Sequence, residues 1–203
     1  MDRVFNYWVD TYFLFRNYLL DTNIDEIIAL PVGYSIRLIK SVDDRSFESL
    51  VLLWDQAYKE KPGDAKNKVR SLLLQGDVCI GAFYQNSVIG MTWSGEQAAI
   101  QRIAFANFLK KEKCAGIGHH DFVDVDHRGK GLQRALSSVR LKYAKEKGCH
   151  AYYVFVGVKN LSSIINLMRV FSEFKVVFHV KIDVPFFTFN FFPGARKEEW
   201  SQC

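Results

Sequence analysis

The period of the apolar positions changes several times along the chain. The segment "YSIRLIK" alternates apolar and polar residues, as a half-buried strand does. In "SVDDRSFESLVLLWDQAY", Phe47, Leu50, Val51, Trp54 and Tyr58 recur at helical spacing behind an acidic start. "KEKPGDAK" reads as a loop and "NKVRSLLL" as a second helical piece. "DVCIGAFYQNSVIGMTWSG" predicts a hairpin, because Gln85, Asn86 and Ser87 separate two apolar runs and Asn tolerates the left-handed turn conformation. "EQAAIQRIAFANFLKKEKCAG" has mixed periodicity, and its "KKEK" run reads as a solvated face. "GHHDFVDV" predicts a buried strand. Beyond it, Leu132, Ala135, Leu136, Val139 and Tyr143 form one helical stripe that Gly148 closes. "HAYYVFVGV" is a further strand. "NLSSIINLMRVFSEF" is a helix with Ile164, Leu167, Met168 and Phe171 on one face and Asn160 or Ser162 as its cap. "KVVFHVKIDV" and "FFTFNFF" close the chain as strands about a turn at Asp183–Pro185. The pattern gives a mixed α/β sheet.

The first thirty residues are apolar and aromatic, and Asp2, Arg3, Asp10 and Arg16 interrupt them. They are too charged to span a bilayer and carry no signal-peptide pattern. They read as an amphipathic helix docked on its own domain, with Pro31 and Gly33 marking the break. The expected organisation is a 1–30 aromatic helical extension and a 31–203 domain. At 203 residues the chain can bury a core without disulfides or metal. Cys79, Cys114, Cys149 and Cys203 form no CxxC pair and lack histidines at ligand spacing. They read as reduced thiols of a cytoplasmic protein with no metal site. The net charge of +5 is mild, and the basic residues are dispersed, which argues against nucleic acid.

One stretch makes an unusual demand. In "DVDHRGKGLQRAL" two glycines, Gly129 and Gly131, sit beside Arg128 and Lys130 just where a helix begins. Glycine lets a ligand approach the backbone. A helix start leaves about four N–H groups unpaired, and their partial positive charge suits a phosphate. The spacing is neither a Walker A loop nor GxGxxG.

"VDVDHRGKGLQRAL" resembles the acyl-CoA-binding motif of the GNAT superfamily of N-acyltransferases, Gln/Arg-x-x-Gly-x-Gly/Ala. Arg128 and Gly131 match its first two fixed positions, and Gln133 replaces the last. The resemblance covers roughly residues 34–191 and extends to the order of hairpin, strand, glycine turn, helix, strand and "NLSSI". It implies a GNAT-type mixed, mostly antiparallel sheet flanked by helices, with the family's fourth and fifth strands splayed. The pantetheine arm would lie in that gap, paired with the backbone of Val123 and Val125. The N–H groups of Arg128, Gly129, Lys130, Gly131, Leu132 and Gln133 would hold the diphosphate. Asn160 would bind the coenzyme, or simply cap its helix.

Acyl transfer to an amine needs the amine neutral, although a free alkyl amine has a pKa of ~10.4. A base should therefore take a proton. His119, His120 and Asp121 end the family's fourth strand, and histidine titrates nearest working pH. Alternation puts His119 and Asp121 on one face and His120 on the other, and a bulge would shift that parity. His120 is the preferred base and Asp121 the alternate. Asp124 and Asp126 read as loop-shaping residues. By resemblance the Val123 N–H would face the developing oxyanion. The tyrosine that often protonates the leaving thiolate in the family corresponds to Leu167 here. Tyr152 and Tyr153 are the substitutes at hand, and a thiolate can also leave unassisted.

The expected function is acyl transfer from acyl-CoA, with acetyl-CoA as co-substrate, to a small amine such as an amino sugar or an amino-acid-like metabolite. The alternative is a non-catalytic acyl-CoA-binding or interaction domain, with "VPFFTFNFFP" offering a strand edge to a second copy. The acceptor pocket would be built by the first helices and by loops near residues 60–70 and 95–115, which carry no readable motif.

Overall fold

Eight strands hydrogen-bond into one sheet: β1 Asn6–Tyr18, β2 Tyr34–Ile39, β3 Val78–Tyr84, β4 Ser87–Gly95, β5 Ala115–Val123, β6 Ala151–Gly157, β7 Glu173–Val184 and β8 Phe187–Phe191. The computed structural model describes residues 6–19, 29–96, 99, 114–171, 173–184 and 187–191. The strand order is β2-β3-β4-β5-β6-β1-β7-β8. Among the described residues only β5 and β6 pair in parallel. Among the described elements, four helices flank the sheet: α1 Phe47–Tyr58, α2 Asp64–Leu74, α3 Leu132–Glu146 and α4 Leu161–Met168.

The β3–β4 hairpin forms where the sequence predicts it. Gln85 (φ 48°) and Asn86 (φ 70°) both take the left-handed conformation that suits a tight hairpin turn. Nearly every residue of both strands is buried, because helices cover both faces of the sheet. On one face Leu50 and Trp54 of α1 and Val69 of α2 pack on Ile39, Met91 and Trp93. On the other, Leu132 and Leu136 of α3 pack on Ile80, Ala82, Ile89 and Val123. Farther along that face, Leu141 and Ala144 of α3 meet Tyr152 and Val154 of β6 and Ile164 and Leu167 of α4.

The N-terminal expectation is overturned. Within the 1–30 segment expected as a helical extension, Asn6–Tyr18 form strand β1. Tyr12–Tyr18 pair with β6, and Asn6–Arg16 pair with β7, both antiparallel. Its aromatic, Val and Thr residues favour extended chain, and over Tyr12–Arg16 neighbouring strands pair with its backbone on both sides. The Leu19 N–H continues the link, donating to the His150 carbonyl at 2.9 Å. No helix of the described residues is long and apolar enough to cross a membrane. The mixed segment at 97–98 and 100–113, the residues of the turn at 185–186, and Cys203 lie outside the described residues.

Candidate active site

The sheet opens at a bulge. β5 and β6 pair only from Ala115↔Ala151 to Gly118↔Val154, and diverge beyond. Against β4, Trp93 faces His119 and Met91 faces Phe122, so His120 and Asp121 together oppose Thr92. His120 absorbs the extra residue in the left-handed region at φ 52°. Parity shifts accordingly. His119 and His120 both lie toward α1, and Asp121 points the other way, toward α3.

His120 sits against Trp54 and Tyr58 of α1, with ring centroids 4.7 and 5.4 Å away. Burial, followed by the neighbouring His119 and Lys68, lowers its pKa to about 4. Its imidazole is therefore neutral at neutral pH. The Tyr58 phenol is pushed up by burial and then by Asp121 and Glu60, so it keeps its proton. His119 directs Nε2 to Asp77 Oδ2 at 3.3 Å and stacks on Trp93.

Asp121 is engaged on the α3 face. Arg140 Nη1 donates to Oδ1 at 2.6 Å, the Thr92 hydroxyl donates to the same oxygen, and Gln133 Nε2 donates to Oδ2 at 3.3 Å. Arg140 itself is 0% exposed. It lies flat against Gly118, where a Cβ would stand 2.7 Å from Cζ. An ion-paired carboxylate on the face away from His120 is poorly set up as the alternate base.

Below the split, β5 runs into a bare helix start. The Asp124 side chain accepts from the Asp126 N–H at 3.0 Å and from Gln56 Nε2 at 3.2 Å, so it shapes the turn as expected. Gly129 (φ 75°) and Gly131 (φ 76°) are left-handed, and a Cβ on either would meet only open space. The first helical bond of α3 is Ala135 N–H to the Gly131 carbonyl at 3.1 Å. The N–H groups of Leu132, Gln133 and Arg134 consequently lack helical acceptors, and no side chain caps α3. An uncapped helix start of this kind suits an anion. Lys130 Nζ donates to the Asp126 carbonyl at 3.0 Å, which keeps its charge at the rim.

The strand residues divide. The Asp124 N–H donates to the Ile89 carbonyl, so alternation turns the Val123 N–H and carbonyl away from β4, toward the gap. Arg128 Nε donates to that carbonyl at 3.0 Å, leaving the N–H as the group facing the split. Val125 departs from expectation. The strand ends at Val123, and Val125 opens a short 3-10 turn over Val125–His127. Its carbonyl accepts from the Arg128 N–H at 3.3 Å. The turn begins there because the Asp124 side chain captures the Asp126 N–H.

Asn160 is the cap of α4. Its Oδ1 accepts from the Ser163 N–H at 3.2 Å and the Ser162 hydroxyl at 3.1 Å. Leu167 is core, packed with Tyr152 and Ile164. Tyr152 cannot replace the missing acid, because its hydroxyl is fully enclosed and donates to Ser94 Oγ at 2.9 Å. Burial raises the thiol pKa of Cys79 and of Cys149, the latter to about 11, so neither is a ready nucleophile. Tyr58 and Trp54 beside His120, and Arg140 behind Asp121, were not singled out for chemistry by sequence reasoning. The i, i+4 spacing of Trp54 and Tyr58 was visible, but nothing in it pointed to His120.

The sheet is split at a bulged strand, above an uncapped glycine-led helix start. The Acetyltransferase (GNAT) family model matches residues 45–169. The chain belongs to the GNAT acetyltransferase family, whose members take acetyl-CoA as co-substrate. An uncharacterised N-acetyltransferase of Methanocaldococcus jannaschii is 39% identical over 70 residues, which is 34% of this chain and 30% of that protein. A GCN5-related N-acetyltransferase from Sphaerobacter thermophilus superposes with TM-score 0.61 at 14% identity, covering 89% of this chain and 54% of that one. An aminoglycoside acetyltransferase from an uncultured soil metagenomic sample gives TM-score 0.53 at 17% identity, covering 70% and 88%. The chain thus spans about half the length of the Sphaerobacter structure and less than a third of the curated relative.

Proposed function

We propose that this chain is an acetyl-CoA-dependent N-acetyltransferase whose acceptor is a small amine, such as an amino sugar or an amino-acid-like metabolite. The observation that carries the reading is the uncapped, glycine-led start of α3, a few residues after the β5 strand that parts from β6 beside His120. The N–H groups from Gly129 to Gln133 would hold the diphosphate, with Arg128 and Lys130 adding charge. The Val123 N–H would face the oxygen on which negative charge develops. The co-substrate, when bound, supplies an activated thioester.

On the α1 side the neutral His120 accepts a proton from the incoming amine, directly or through a water. With its pKa near 4 it is a weak base. Its contribution is to orient the amine and hold the proton briefly rather than to drive deprotonation. Rate should therefore rise with pH as the free amine forms, without an inflection near 6.5. The aromatic walls Trp54 and Tyr58 exclude bulk water from this step. The chain is proposed to act in the cytoplasm, where its thiols stay reduced.

A second reading, a non-catalytic acyl-CoA-binding domain, is favoured by Leu167 and by the burial of both Tyr152 and Tyr153, which leave the thiolate without an evident acid. One experiment separates the two. Acetyl-CoA is offered with a panel of amino sugars and amino-acid amines while free thiol is followed. Amine-dependent thiol release supports the enzyme. Thermal stabilisation by CoA with no release across the panel supports the binding domain, and neither response would remove both.

A further inference from the structure

Gln133 stands where the acyl-CoA motif ends in Gly or Ala, and its amide does not turn to the cradle. Nε2 donates to Asp121 Oδ2 at 3.3 Å. The other carboxylate oxygen is held by Arg140 and Thr92. Asp121 and His120 are the two bulge residues that share Thr92 as partner, so the carboxylate gripped by Gln133 lies one peptide bond from the His120 backbone. Gln133 also contributes one of the unpaired N–H groups of the first turn of α3. A single residue therefore faces the cradle with its backbone and the bulge with its side chain. Glycine or alanine there would offer the N–H and lack the tie.

We propose that Gln133 is a positioning residue coupling the coenzyme cradle to the His120 bulge, so that a diphosphate seated on α3 is felt at the His120 imidazole. The inference rests on the coenzyme reading above. Its physical content is a short rigid path. The Gln133 backbone moves with the anion it binds. Its amide then carries that movement to Asp121, which the fully buried Arg140 prevents from following freely. The load passes to the strained residue beside it, His120 at φ 52°.

The test uses the full chain and two probes, CoA and 3′-phosphoadenosine 5′-diphosphate, which is CoA without its pantetheine arm. The truncated probe lacks the arm that would lie beside His120, so a response there is carried by the protein or by the field of the bound charge, and only the first depends on the Gln133 amide. Binding is measured by calorimetry, and the His120 ring resonances and their pH titration by NMR, assigned by their loss in His120→Phe. In the wild-type protein both probes shift the His120 resonances and its titration. In Gln133→Ala and in the equally long Gln133→Met, each compared at probe concentrations that saturate that variant, the His120 response to the truncated probe disappears.

Three results overturn the proposal while leaving coenzyme binding intact. One is a His120 response that persists unchanged in both variants. Another is a wild-type His120 blind to the bound truncated probe. The third is a loss of affinity beyond about tenfold in both variants, which would place the Gln133 side chain, and not only its backbone N–H, on the bound anion. Failure of the truncated probe to bind where CoA binds would also sink it, since the cradle would then hold no diphosphate. If CoA itself gives no heat with the wild-type protein, the coenzyme reading falls and takes this inference with it.

Discussion

His120 and Gly131 are the residues whose local physics makes the sharpest demands. A histidine whose pKa is depressed on folding binds fewer protons in the native state than in the unfolded one. Its stabilising contribution is complete above the unfolded value near 6.5 and is lost as pH falls toward about 4. That loss amounts to roughly 3 kcal/mol at most. Urea melts at pH 7, 5.5 and 4.5 should show this acid sensitivity, and His120→Phe should flatten it. A parallel pair of curves would refute the burial argument. Gly131 and Gly148 share φ 76° and open surroundings, but only Gly131 opens α3. Alanine at either should cost about 1–2 kcal/mol of strain, while only Gly131→Ala should weaken CoA binding, by tenfold or more; equal CoA affinity in the two variants would contradict the phosphate role. The cradle was legible because glycine beside basic residues at a helix start is a chemical signature in sequence. The grip on Asp121 was not legible. Arg140 stands four residues after Leu136 and three before Tyr143, at the border of the apolar stripe of α3, but an arginine there normally reads as snorkelling to solvent.

At the level of elements, α3 and β5 work as a pair. Gly118 lacks a side chain where the Arg140 guanidinium lies, so Gly118→Ala must displace it and should destabilise by roughly 1–3 kcal/mol. Arg140→Leu leaves the Asp121 carboxylate 16% exposed and unpaired by its main partner, at an expected cost of about 3–5 kcal/mol. Adding Asp121→Leu should recover most of that loss, because both buried charges are then gone. Thermal melts of the two single variants and the double variant decide the point, and a strictly additive double would show that the pair is not coupled. Periodicity revealed α1, α2, α3 and the β3–β4 hairpin because each buries one clear stripe or run. It could not reveal the bulge, since two residues facing one is a property of register against β4 and leaves the local pattern of β5 untouched.

On the scale of the whole molecule, the misread segment is the first. Its charges excluded a bilayer span, but they did not distinguish a helix from a strand flanked on both sides. Because β1 is hydrogen-bonded to β6 on one side and β7 on the other, removing residues 1–19 should unfold the C-terminal half of the sheet rather than trim an appendage. A truncated chain with native near-ultraviolet circular dichroism and unchanged urea midpoint would contradict this. The same placement has a kinetic consequence. β1 meets its neighbours only after nearly the entire polypeptide has been threaded into position, and such distant closures are entropically slow. The last step of refolding should therefore be the capture of this strand into a waiting slot, and until then two open backbone edges remain available to other chains.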